Sequence, residues 1–141
     1  RIHQGLGRKR HEAGRHLPWH AGPLRLLHGR RPRRRLGFFR ATSKKFPLLR
    51  GAKSPHGWNE LVFARDHWIS RGLPAHPYVY FVHSYYKVPS DTEDVIATAD
   101  YGVPIPAIVG KGNVIGLQFH PEKSGAIGAL LLRNILEWFK L

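Results

Sequence analysis

The sequence predicts an α/β domain in residues 36–141, preceded by a basic segment, residues 1–35, of irregular or disordered structure. Three observations carry that expectation. Val114-Ile115-Gly116-Leu117-Gln118-Phe119 is an apolar run with β-branched and aromatic residues, closed by His120-Pro121-Glu122. It suits a buried strand, and Pro121, which cannot donate to a sheet ladder, turns it into a loop. Behind it Ile127, Leu130, Leu131, Ile135 and Trp138 recur at helical spacing, with Ser124 placed as the N-cap. Tyr78-Val79-Tyr80-Phe81-Val82-His83-Ser84-Tyr85-Tyr86 reads as a second strand, rich in aromatics.

Charge divides the chain in the same place as pattern does. The net charge is +14. Residues 1–53 hold 16 Lys/Arg against the single acid Glu12, or +15, and residues 54–141 hold 7 against 8, or −1. A uniformly basic protein would point to an anionic partner such as nucleic acid; here the patterned part is neutral. No apolar run approaches the length of about 18 residues that a membrane span needs, and no secretory signal pattern opens the chain. With no cysteine, disulfides and thiolate metal sites are excluded and the redox compartment stays open. Lacking an initiator Met, the sequence reads as a fragment.

Taken in order, Arg1–Arg35 shows no stable periodicity, and Arg30-Arg31-Pro32-Arg33-Arg34-Arg35 is a self-repelling block. It reads as a solvated arm or as a phosphate-binding arm with salt-sensitive affinity. Pro55-His56-Gly57-Trp58-Asn59 reads by itself as a turn with a half-buried Trp. Leu61-Val62-Phe63 is a short strand, and Asp66 to Pro74 a short helical turn ended by Gly72 and Pro74, with His67 and His76 on the surface. Alternation in the aromatic strand puts Tyr80, Val82 and Ser84 on one face and Phe81, His83 and Tyr85 on the other. A lone strand histidine is more often a hydrogen-bonded core residue than a catalytic one. Asp94–Asp100 and Ile105–Val109 read as strands, with Gly110-Lys111-Gly112-Asn113 as the turn into Val114. Gly110 to Gly112 does not make a P-loop, having neither its spacing nor its Ser/Thr.

His120 and Glu122, two residues apart where a buried strand gives way to a helix, suit an imidazole base oriented by an acid. The runs QFHPEKSG (118–125) and FVHSYY (81–86) closely resemble signatures of the class I glutamine amidotransferases. The branch they look like forms the glutaminase subunits of imidazole glycerol phosphate synthase, in histidine biosynthesis. Lys53 to Leu61 is similar to that branch's V-P-H-M-G-W-N-x-L, with Ser54 for Val and the Met missing between His56 and Gly57. Leu36 to Phe39 and Lys44 to Pro47 match its Gly-Leu-Gly segment and following basic strand loosely.

The resemblance implies the C-terminal part of a flavodoxin-like, three-layer α/β domain whose early parallel strands are missing. It implies a cytoplasmic glutaminase that passes ammonia to a cyclase subunit in a heterodimer, without cofactor or metal. His120 would be the base and Glu122 its orienter. His83, Ser84 and Tyr85 would hold the glutamine head group, and Gly57, Trp58, Asn59 and Lys123 would face the cyclase. Two other readings compete: a basic nucleic-acid-binding protein, and a non-catalytic scaffold that docks on the cyclase.

The family's third catalytic member is a cysteine in an elbow of the form G-I-C-x-G-M-Q, and this chain has none. Arg15-His16-Leu17-Pro18-Trp19-His20-Ala21-Gly22 can be encoded CGG-CAT-CTG-CCN-TGG-CAT-GCA-GGN. From the second base those codons spell Gly-Ile-Cys-x-Gly-Met-Gln. Only the Gly that follows Trp19 is forced; the other steps are permitted. The segment to about residue 35 therefore reads as the translation of a shifted frame, and the chain as written is expected to be an inactive glutaminase.

Overall fold

Continuous apolar runs fold as strands here because both faces of the central sheet are covered. The computed structural model describes residues 25–28 (backbone alone), 40–46 and 56–140. In these residues the strands are β1 (Arg25–His28), β2 (Ala41–Lys45), β3 (His56–Glu60), β4 (Val62–Phe63), β5 (Tyr78–Val82), β6 (Tyr85–Pro89), β7 (Val95–Asp100), β8 (Pro104–Lys111) and β9 (Val114–Leu117). One helix, α1 (Gly125–Phe139), follows. The main sheet has the order β1-β9-β8-β7-β4, while β2 pairs with β6 and β3 with β5 in two separate ribbons. Every one of these pairs is antiparallel.

The hairpin from β8 to β9 needs only two turn residues, with Lys111 opposite Val114 and Gly112 at a φ of +57°. That left-handed conformation is open to glycine at little cost. All four residues of β9 and five consecutive residues of β8 are buried, which explains why neither strand shows alternation in sequence.

An edge-to-face chain of aromatics ties the ribbons to the main sheet. Phe46 meets Tyr86 at 5.3 Å and Tyr101 at 5.0 Å; Phe81 meets Tyr101 at 5.6 Å and Phe119 at 5.8 Å. Such pairs each add about 0.5–1.5 kcal/mol beyond area burial. The Tyr101 phenol at its centre is pushed up to about 12, chiefly by burial. Leu131 and Ile135 carry α1 onto this core. The buried Asn134 side chain donates to Ile69 C=O at 2.9 Å and Arg71 C=O at 2.8 Å, fixing the helix to a 3-10 turn at Trp68–Ser70.

Several expectations change. The aromatic run is two strands, not one: β5 ends at Val82, and Tyr85 starts β6 against a different partner. The alternation therefore holds only as far as Val82. His56–Glu60 is a strand and not a turn, because five successive residues pair with β5; Trp58 on it is 54% exposed. Residues 1–35 include a strand, β1, where the sequence shows no periodicity, since backbone pairing with β9 needs no side-chain pattern. His67 is partly buried, not wholly on the surface: its Nδ1 accepts from Ile69 N–H at 3.4 Å at the start of the 3-10 turn. Burial, and secondarily the Arg65 guanidinium, hold its imidazole below the ordinary 6.5. Trp138 leaves the buried stripe, 52% exposed and stacked on Trp68 at 4.7 Å. Leu36 to Phe39 and Arg15 to Gly22 lie outside the described residues. Among the described residues no helix is long and apolar enough to cross a membrane.

Candidate active site

The end of β9 is bound on both sides before the chain turns. Gln118 N–H donates to Ala107 C=O at 2.9 Å, and His120 N–H donates to Tyr80 C=O at 3.0 Å. Pro121 then opens a 3-10 turn, Pro121–Lys123, that leads into α1. Ser124 occupies the N-cap position, as its sequence place predicts, but its side chain makes no cap bond. Its hydroxyl instead donates to His120 C=O at 2.7 Å and accepts from Tyr80 N–H at 2.9 Å. One buried hydroxyl thus locks the histidine loop to β5. Gly125 follows at φ +56°, and the α1 backbone passes so close at Gly128 that a Cβ there would land on the Pro121 carbonyl.

This scaffold brings the two expected catalytic side chains together. His120 Nδ1 lies 2.9 Å from Glu122 Oε1. An ionised carboxylate only accepts, so Nδ1 carries the proton and Nε2 of the neutral ring holds the lone pair. The His120 side chain is 17% exposed and Glu122 42%. Nε2 is buried and has no hydrogen-bond partner among the described residues. A base aimed inward, with its lone pair unspent, can take a proton from a nucleophile placed beside it.

His83 and Ser84 form the bend between β5 and β6, and Tyr85 opens β6. The His83 ring stacks on His120 with centroids 4.8 Å apart and planes 27° from parallel. Ser84 and Tyr85 are exposed. The fully buried Gln118 clamps the far side of the bend: its Nε2 donates to Tyr85 C=O at 3.3 Å and its Oε1 accepts from Lys87 N–H at 3.2 Å. Sequence reasoning did not give Gln118 or Ser124 these roles. Their signal, polar residues flanking an otherwise apolar strand end, was there to be used.

The four expected interface residues divide. Trp58 and Lys123 are exposed and Gly57 is half-buried. Trp58 packs edge-on against Tyr80 at 5.7 Å, so it stands over the strand to which the His120 loop is hydrogen-bonded. Asn59 is buried, with its Nδ2 donating to Asp100 C=O at 2.6 Å and its Oδ1 accepting from Glu60 N–H at 2.9 Å. It faces inward and supports the strand instead of presenting a surface. A cavity of ≈ 180 Å³ lies elsewhere, between the β8–β9 turn and the Trp68–Trp138 stack; no residue of the His120 loop or β5 lines it.

Comparison with known proteins gives the family. The profile of the Glutamine amidotransferase class-I family matches residues 28–137. Imidazole glycerol phosphate synthase subunit HisH of Natronomonas pharaonis is 55% identical over 91 residues, 62% of this chain and 42% of that protein. The subunits of the same name from Geobacillus kaustophilus and Methylococcus capsulatus are 46% and 47% identical, each over 73% of this chain and 51% of theirs. The chain spans about half the length of these curated relatives. A crystal structure of a GMP synthase-type protein from Thermoplasma acidophilum superposes with a TM-score of 0.54 at 21% identity, over 71% of this chain and 49% of that one. It shows the likeness of fold.

Proposed function

The chain belongs to the Glutamine amidotransferase class-I family, and from that premise we propose that it carries the base half of a glutamine-hydrolysing site serving an imidazole glycerol phosphate synthase. The single observation behind the proposal is the His120–Glu122 pair, 2.9 Å apart with Nε2 buried and unused. In the reaction a cysteine thiolate attacks the side-chain amide carbon of glutamine, its proton having passed to His120 Nε2. Collapse to the thioester expels ammonia, which takes that proton. His120 then removes a proton from water, the hydroxide attacks the thioester, and glutamate leaves as the thiolate is restored. Glu122 holds the imidazole in the Nδ1–H tautomer throughout and stabilises its charged form.

Ser84 and Tyr85, exposed and next in the chain to His83, are proposed with it to hold the head group of glutamine. Trp58 and Lys123 are proposed to meet a cyclase subunit that receives the ammonia, in the cytoplasm. The relatives' name, a synthase subunit, supports this partner. Because the 141 residues contain no cysteine, the chain as written is expected to release no ammonia. That favours a second reading for the chain itself, a non-catalytic subunit that still docks; co-purification with the cyclase without glutaminase activity would distinguish it.

The test starts from the coding DNA. If the codons for His16 to Pro18 cannot yield TGC in the shifted frame, the origin proposed for residues 1–35 fails. The intact parent protein, with its early strands present and the frame restored, is expected to turn over when assayed with the cyclase for ammonia release from glutamine. Its His120→Ala variant is expected to lose about 10²–10⁴-fold in kcat. Undiminished turnover in that variant would rule out His120 as the base.

A further inference from the structure

The geometry points to His83 as a positioning residue for the His120 ring. One hydrogen bond fixes an imidazole poorly, because its outer torsion is broad and roughly two-fold. The ring can still turn about its Cβ–Cγ bond if the carboxylate follows, and Glu122 is itself 42% exposed. The second constraint comes from a distant part of the chain. The His83 ring lies over the His120 ring, 4.8 Å between centroids and 27° from parallel. A flat ring against a flat ring opposes the pivot that the hydrogen bond allows.

The bend that presents His83 is held at both ends. Before it, His120 N–H donates to Tyr80 C=O at 3.0 Å and Tyr80 N–H donates to Ser124 Oγ at 2.9 Å. After it, Gln118 Nε2 donates to Tyr85 C=O at 3.3 Å. His83 therefore sets the plane of the base while Glu122 sets its tautomer. Together they keep Nε2 aimed at one point, as proton transfer requires. This role is added to the head-group contact proposed for His83 with Ser84 and Tyr85. It asks for a flat side chain and not for imidazole chemistry, so a phenyl ring should serve and a methyl group should not.

The inference deepens the assignment of His120 as the base, yet its readout needs no turnover. In the isotopically labelled chain, the Nδ1 proton held by Glu122 gives a downfield magnetic resonance signal, and the ring nitrogen shifts report the tautomer. His83→Ala is expected to lose the signal and mix the tautomers, and His83→Phe to restore both while the two variants melt alike. A sharp signal and single tautomer in His83→Ala would overturn the positioning role; so would loss in His83→Phe as complete as in His83→Ala. Should His83→Ala fail to fold, His83→Leu, which keeps volume without flatness, takes its place with the same two outcomes. Glu122→Gln separates the premises: an unchanged signal there sinks the His120–Glu122 pair itself, whatever the His83 variants do.

Discussion

Two histidine–carboxylate pairs lie among the described residues, and the shorter one is the lesser. His76 Nδ1 sits 2.6 Å from Glu60 Oε1, against 2.9 Å for His120 and Glu122. The His76 side chain is 76% exposed, whereas that of His120 is 17% exposed. Around His120 the backbone N–H, the backbone carbonyl and the ring face are each engaged, by Tyr80, Ser124 and His83. An exposed ion pair gains little over hydration of its separate charges. A ring whose Nε2 is buried keeps that nitrogen turned away from bulk solvent. Contact distance by itself does not identify a site; the scaffold behind the contact does.

The comparison breaks first at Gly128. Gly→Ala in an exposed helix ordinarily stabilises by up to about 1 kcal/mol. Here the added methyl meets the Pro121 carbonyl and Ser124 Cβ, under the His120 loop. Gly128→Ala is expected to destabilise by about 2–3 kcal/mol or more, measured by urea denaturation followed through Trp fluorescence. A gain in stability would show that the loop yields easily and is no rigid scaffold.

Ser124→Ala comes next. It removes the donor to His120 C=O and leaves Tyr80 N–H without its acceptor, for an expected loss of about 1–3 kcal/mol. The matching change at the other pair, Glu60→Gln, is expected to stay within about 1 kcal/mol. Equal losses in the two variants would erase the distinction between a scaffolded pair and a surface one.

A smaller effect concerns acid. The folded state holds His67 below its ordinary 6.5, so it binds that proton less readily than the unfolded chain does. The contribution is complete above pH 6.5 and is lost as pH falls through the lowered folded value, the unfolded chain holding more protons in that window. Stability is expected to decline on acidification below 6.5, and less steeply in His67→Asn, which can still cap the turn. Identical pH slopes in the two proteins would remove His67 from the account.

Much of the site was legible in the chain because its members are close in sequence. His120, Pro121, Glu122 and Ser124 fall within five residues, and a strand followed by proline and a helix cap leaves few ways to arrange them. The strands β7, β8 and β9 were likewise readable from their apolar runs. The break at His83–Ser84 was not, since Tyr78 to Tyr86 has uniform strand character and only its partners differ. Nor did the burial of Asn59 follow from its neighbours; it follows from the Asp100 carbonyl, 41 residues away.

The sequence alone determined which segments are apolar enough to leave water, where proline and glycine stop them, and that a histidine and a glutamate share one loop. Tertiary structure decided which strand meets which, that the Ser124 hydroxyl serves β5 instead of its own helix, and that His83 lies over His120. The reason is physical: propensity and periodicity are properties of neighbours along the chain, whereas a buried hydroxyl or ring must satisfy whatever the folded backbone brings to it.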